Sequence, residues 1–108
     1  MKTYQGYRQG DAVSVTVDRR RLNPRWDLSN HGPTGFDWNN GGNGAAQLAL
    51  AILADHCSDD EQAVNFYQRF KWLVIAELPR HHWTLTTREI DQVLHTIRIW
   101  KPFLEAVS

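Results

Sequence analysis

Cysteine is almost missing from this 108-residue chain: Cys57 stands alone, so no disulfide can form within it. A reducing compartment is expected for such a chain. Long apolar runs are missing as well. The longest, Leu48–Ala54, has seven residues, whereas a membrane-spanning helix needs about 20. Met1–Gly6 holds no apolar stretch either, so neither a leader peptide nor a membrane anchor is expected, and the protein is read as cytoplasmic. An excess of one charge is also absent. Twelve basic and 12 acidic side chains cancel, unlike the basic footprint of a dedicated nucleic-acid binder. No repeat, low-complexity segment or interdomain linker interrupts the chain.

What is present is an ordinary globular balance, 42% hydrophobic and 22% charged residues, in a length suited to one domain with one core. Residues 1–25 read as a small antiparallel meander of about three strands. Val13, Val15 and Val17 alternate with Ser14 and Thr16, the period of a half-buried strand. Thr3–Arg8 is the partner strand across a Gln9-Gly10-Asp11 turn. Asp18–Arg21 reads as a hairpin tip, and Leu22 begins a return strand ended by Pro24. Residues 26–44 form a long Gly/Pro-rich loop that Trp26, Leu28, Phe36 and Trp38 can pack down.

Residues 45–100 carry three helices. Ala45–Cys57 has no wide polar face and is expected to be central and buried, its start capped by Asn43 or by a Gly44/Gln47 pairing. Ser58–Glu61 reads as a capping box for a second helix, which places Ala63, Phe66, Tyr67, Phe70, Val74 and Leu78 on one face and stops at Pro79. Thr86–Glu89 is a second capping box, with Leu85 and Ile90 placed for a hydrophobic staple. The third helix stacks Ile90, Val93, Leu94, Ile97 and Trp100, and Pro102 ends it or bends away the tail at 101–108. The fold class is α+β: a small sheet and three helices in a single domain spanning 1–108.

Four groups of residues invite chemistry. Gly41-Gly42-Asn43-Gly44, with His31 upstream, precedes a helix start where an anion can bind, but no lysine follows as in a phosphate loop and no βαβ unit surrounds it. The plainer reading is glycine backbone packed tightly on a buried helix. The five histidines lack any zinc-type spacing, so no metal or other cofactor is expected. For catalysis, Cys57 lies among Asp55, Asp59 and Asp60, which disfavour its thiolate, and His31 with Thr34 or Asp37 is a sparse acid–base set. No enzyme activity is expected. Arg19, Arg20, Arg21 and Arg25, followed by Trp26, suit a phosphate backbone or simply a solvated hairpin tip. The opposite pole, Asp55, Asp59, Asp60 and Glu61, is purely acidic over Asp55–Glu61. Trp72 and Trp83 fall off the core stripes and are either secondary core or anchors of a protein interface.

The run Asn30-His31, Pro33-Thr34-Gly35-Phe36, Trp38, Gly41-Gly42, Gly44, Gln47–Leu53, Tyr67-Gln68, Phe70-Lys71-Trp72 and Leu78 resembles an uncharacterised family of small bacterial domains carried on plasmids, integrative elements and phages. Val13–Val17, Asp18, Leu22–Arg25 and Trp83–Thr86 extend the likeness over nearly the whole chain. Departures fall at Gly32, Asn39, Asn40, Asn43 and Ala45, within or beside the glycine loop, which argues against a shared small-molecule pocket there. The resemblance implies a mobile-element setting and no particular activity. The combined expectation is a non-catalytic protein that binds a host protein or ribonucleoprotein complex, in its sharpest form an inhibitor of a bacterial defence system such as CRISPR. It would act by occlusion or charge mimicry through Asp55, Asp59, Asp60, Glu61, Trp72 and Trp83. The alternatives are a small-ligand or nucleotide domain using His31 and Gly41–Gly44, and a nucleic-acid contact through the arginines.

Overall fold

The computed structural model describes residues 2–31 and 35–107, with side chains described through Ile99. Pro33 and Thr34 of the resemblance run, and the departure at Gly32, lie outside the described residues. The fold is α+β, with four strands rather than about three. Strands β1 (Thr3–Gln9), β2 (Ala12–Val17), β3 (Arg20–Arg21) and β4 (His82–Thr86) form one antiparallel sheet in the order β3-β2-β1-β4. Helices α1 (Asn43–Cys57), α2 (Asp60–Leu73) and α3 (Thr87–Val107) complete the chain, with a single 3₁₀ turn at Ile75–Glu77.

The hairpin tip is tighter than the arginine run implies. Asp18 and Arg19 both take positive φ, 49° and 71°, as a two-residue turn between twisted strands requires. Arg20 and Arg21 therefore already belong to the return strand, ahead of Leu22. The Asp18 carboxylate fixes the turn by accepting from the Thr3 N–H at 2.9 Å.

Strand β4 was hidden between Pro79 and a helix start. It pairs with β1 in a register that sets Trp83 opposite Gly6 and Leu85 opposite Tyr4. On the same face, Val15 and Val17 lie opposite Gly6 and Tyr4 from the other side. The pairing is steric. A Cβ on Gly6 would stand 2.3 Å from the Trp83 indole, so the glycine leaves the space that the ring fills. Trp83 is 3% exposed and meets Trp38 edge-on at 5.6 Å between centroids.

Helix α1 runs through the core with every residue from Ala45 to Ala54 buried. Its N-cap is Gly42 and no side chain caps it, so neither Asn43 nor a Gly44/Gln47 pairing does the work expected of them. Gln47 is buried and points elsewhere. In the next helix Asp59, rather than Ser58, is the cap: its carboxylate accepts from the Glu61 and Gln62 N–H groups. Ser58 instead adopts the left-handed conformation that terminates α1. Helix α2 ends at Leu73, earlier than Pro79 demands, because the chain tightens into the 3₁₀ turn before the proline.

The second expected box is present in both directions. Thr86 N–H donates to the Glu89 carboxylate at 3.1 Å, and Glu89 N–H to the Thr86 hydroxyl at 3.3 Å. Leu85 and Ile90 on either side are both buried. Helix α3 continues through Pro102 to Val107 instead of ending there; a proline inside a helix removes one ladder hydrogen bond without forbidding the turns on either side.

Replacing Gly6 by Ala is expected to destabilise the protein by about 1–3 kcal/mol, since the indole must leave its place or the strands must part. Thermal unfolding checks it. An unchanged midpoint would mean that the β1/β4 register is not what seats Trp83.

Candidate functional site

The glycine loop is filled from within the chain. A Cβ on Gly41 would stand 2.2 Å from the Trp72 ring, and one on Gly44 would stand 2.7 Å from the Asp37 Cβ. Gly42 N–H donates to the Asn40 side-chain oxygen at 2.8 Å. The glycines thus permit close approach of Trp72 and of the loop's own Asp37 to the start of α1. Asp37 is locked in turn: the Arg8 guanidinium, the Trp38 N–H and the Asn40 amide all donate to its carboxylate. Burial alone would raise its pKa, but these donors prevail and hold it below the usual carboxylate value. The Arg8 guanidinium also lies over the Trp38 ring, 4.7 Å from its centroid, while the Trp38 indole N–H donates to the Arg80 carbonyl.

His31 stands one turn further along α1, beside Gln47. Its backbone N–H donates to Gln47 Oε1 at 3.0 Å, and Gln47 Nε2 donates to the Pro24 carbonyl. The His31 Nε2 lies 2.9 Å from the Tyr67 hydroxyl and 3.3 Å from that of Ser29. The set of His31, Thr34 and Asp37 does not assemble as an acid–base group: Asp37 belongs to Arg8, and Thr34 lies outside the described residues. Sequence reasoning missed Gln47 as the fastening of the long loop. Its signal was there, a lone amide in an otherwise apolar helix.

The arginine and acidic groups, read as opposite poles, are joined by Arg25. Its guanidinium makes paired hydrogen bonds with Asp27, both 3.0 Å, and with Asp60, at 3.0 and 2.8 Å. Those bonds push the Arg25 pKa up and draw that of Asp27 down. Arg25 is therefore separated in role from Arg19, Arg20 and Arg21, which remain exposed at the hairpin. Asp55 accepts from the Tyr4 hydroxyl at 2.6 Å and from the Lys2 ammonium at 3.2 Å. Burial, and next the bond to Asp55, raise the Tyr4 pKa. With Asp59 capping α2, Glu61 is the one member of the acidic group without a structural duty among the described residues.

Burial is the first cause that raises the Cys57 thiol pKa; Asp59 and Asp91 add to it, and Arg98 opposes it. A protonated thiol is a poor nucleophile. Among the described residues, no three His, Cys, Asp or Glu side chains stand where they could hold a metal ion. His56 is used by Asp91, at 2.7 Å.

The two tryptophans part company. Trp83 is core and cannot serve as a surface anchor. Trp72 is 60% exposed although it sits against Gly41, and the Lys71 ammonium lies 4.6 Å from its ring centroid. Leu73 and Val64 on the same helix are also exposed.

The family model for a family of unknown function, DUF6166, matches residues 4–96, from β1 well into α3. The chain belongs to that family. No curated protein and no solved structure matches it. The matched span contains the Gln47 network and the Gly41–Trp72 contact, which join the long loop to the helices, and the Gly6–Trp83 contact within the sheet. No helix among the described residues is long and apolar enough to cross a membrane.

Gln47→Leu is expected to cost roughly 2–4 kcal/mol, because it strands the His31 N–H and the Pro24 carbonyl without partners. Hydrogen exchange by mass spectrometry should show faster exchange across residues 23–31 than in α3. Equal protection in variant and parent would show that the loop is held by other means.

Proposed function

We propose that this domain is a non-catalytic binding protein that docks on a host macromolecular complex, with Trp72 as its anchor. The observation that supports the reading is the state of that indole. It is exposed to water, yet it is held between the Gly41 backbone and the Lys71 ammonium. An aromatic fixed before binding loses little side-chain freedom on docking. Tryptophan buries about 150–250 Å² in a core, so the exposed part offers on the order of 100 Å². At about 25 cal/mol per Å², its burial contributes roughly 2–3 kcal/mol, the size of a binding hot spot.

The mobile-element setting implied by the sequence resemblance directs the choice of target. A bacterial defence complex is the one to test first, with inhibition of a CRISPR effector by occlusion as the sharpest form. Charge mimicry is the weaker mechanism, since Asp55 and Asp60 are already paired with Lys2 and Arg25 and Asp59 is a helix cap. A ligand reading of Gly41–Gly44 is also weaker, because Trp72 and Asp37 stand against those glycines.

The test is affinity purification of the tagged protein from a bacterial lysate, with and without nuclease. A stoichiometric protein partner is expected to survive nuclease. Trp72→Ala should weaken its capture by about 30-fold or more, the effect of losing a hot spot of at least 2 kcal/mol, in a variant whose cooperative thermal unfolding shows that it is still folded at the temperature of capture. A partner lost with nuclease points to Arg19–Arg21 and nucleic acid instead. A partner held equally by Trp72→Ala removes the anchor.

A further inference from the structure

We propose that the groove between the C-terminal end of α2 and the start of α3 receives a partner segment in which an aliphatic side chain is flanked by lysine or arginine. Leu73, Val74 and Val93 wall the groove above a floor that includes Leu78, Leu85 and Ile90. The floor residues are buried and well packed, whereas Leu73 is 54% exposed. The depression measures about 270 Å³, just below the roughly 300–1,000 Å³ of small-molecule sites. That size suits one or two side chains of a peptide rather than a cofactor.

The rim decides what kind of peptide. Glu77 and Glu89 line the groove, and no lysine, arginine or histidine does. Glu89 accepts from the Thr86 N–H and hydroxyl and stands at the positive end of the α3 dipole, equivalent to about half a charge, which offsets part of its field. Glu77, exposed on the 3₁₀ turn, keeps the larger share. An apolar slot beside the free Glu77 carboxylate and the partly offset Glu89 complements an aliphatic residue with a neighbouring cation, and it disfavours an acidic or nucleic-acid partner.

This surface is separate from the Trp72 anchor. Consecutive helical residues project about 100° apart, so Leu73 turns toward α3 while Trp72 lies over Gly41. The proposal therefore stands or falls independently of the anchor reading.

The experiment is a nitrogen-15 amide titration of the full chain with an acetylated, amidated Lys-Leu-Lys-Lys-Leu-Lys peptide as the probe. Twin peptides carry Glu in place of each Lys, or Ser in place of each Leu. Shifts are expected at the amides of Leu73, Val74, Leu78, Glu89 and Val93, and both twins should bind about tenfold more weakly or not at all. Glu77→Lys should weaken the probe by a similar factor, and Leu73→Asp should abolish the shifts. Both positions are exposed, and the dispersion of each variant's own spectrum reports its fold. Asp11→Lys makes the same charge change on the β1–β2 turn and should leave binding unaltered. Shifts mapping elsewhere, equal binding of the Glu twin, or an Asp11→Lys effect as large as that of Glu77→Lys would overturn the proposal. So would a dimer in sedimentation that Leu73→Asp dissociates, which would mean that a second copy of the chain occupies the groove.

Discussion

The constraint on which this fold depends is a helix with no outside. From Ala45 to Ala54, α1 is buried on all faces, so the rest of the core must be built around it. The sheet covers it through Tyr4, whose hydroxyl reaches Asp55 near the end of the helix. Helix α2 packs closely on it, and Ala63 and Phe70 of α2 are buried in one core with Ile90, Leu94 and Ile97 of α3. What remains is the first turn of α1, and the long loop seals it. A buried helix tolerates a polar group only if that group is bonded. Gln47 meets the condition and at the same time fastens the loop by its two ends of contact, His31 and Pro24.

The same demand explains the glycines. Gly41 and Gly44 let Trp72 and Asp37 come within distances that no side chain could allow. Gly6 does the same for Trp83 within the sheet. Read alone, Gly41 and Gly44 suit either an anion-binding loop or close packing on a buried helix, and Gly6 is simply part of a strand. In the folded chain they are sites of contact. The long loop is accordingly packed against the helices through these contacts, while Val64, Trp72 and Leu73 remain exposed on α2.

Features governed by neighbours in sequence were legible before the fold was known. The alternation of Val13, Val15 and Val17, the continuous apolar run of α1 and the Thr86–Glu89 box all depend on residues a few positions apart. Features governed by distant partners were not. Strand β4 is five residues long, and its pairing with β1 joins positions some eighty residues apart. Arg25 follows the hairpin arginines closely along the chain, although its partner Asp60 lies 35 residues on. Trp72 and Trp83 both fall off the core stripes, and nothing local distinguishes them. The difference is that Trp83 faces a glycine across the sheet, while Trp72 faces one from the end of a helix and keeps its outer side in water.

If binding through the outward side of α2 is what this domain does, a photocrosslinker placed there should find the partner. Gln68 lies one turn from Trp72 and one turn from Val64 on α2 and is exposed. The direct measurement is crosslinking in a bacterial lysate with a benzophenone residue at position 68, compared with the same residue at position 19 on the hairpin tip. The account predicts a discrete protein adduct from position 68 that resists nuclease and is absent from position 19. A nuclease-sensitive adduct from position 19 alone, with none from position 68, would contradict it.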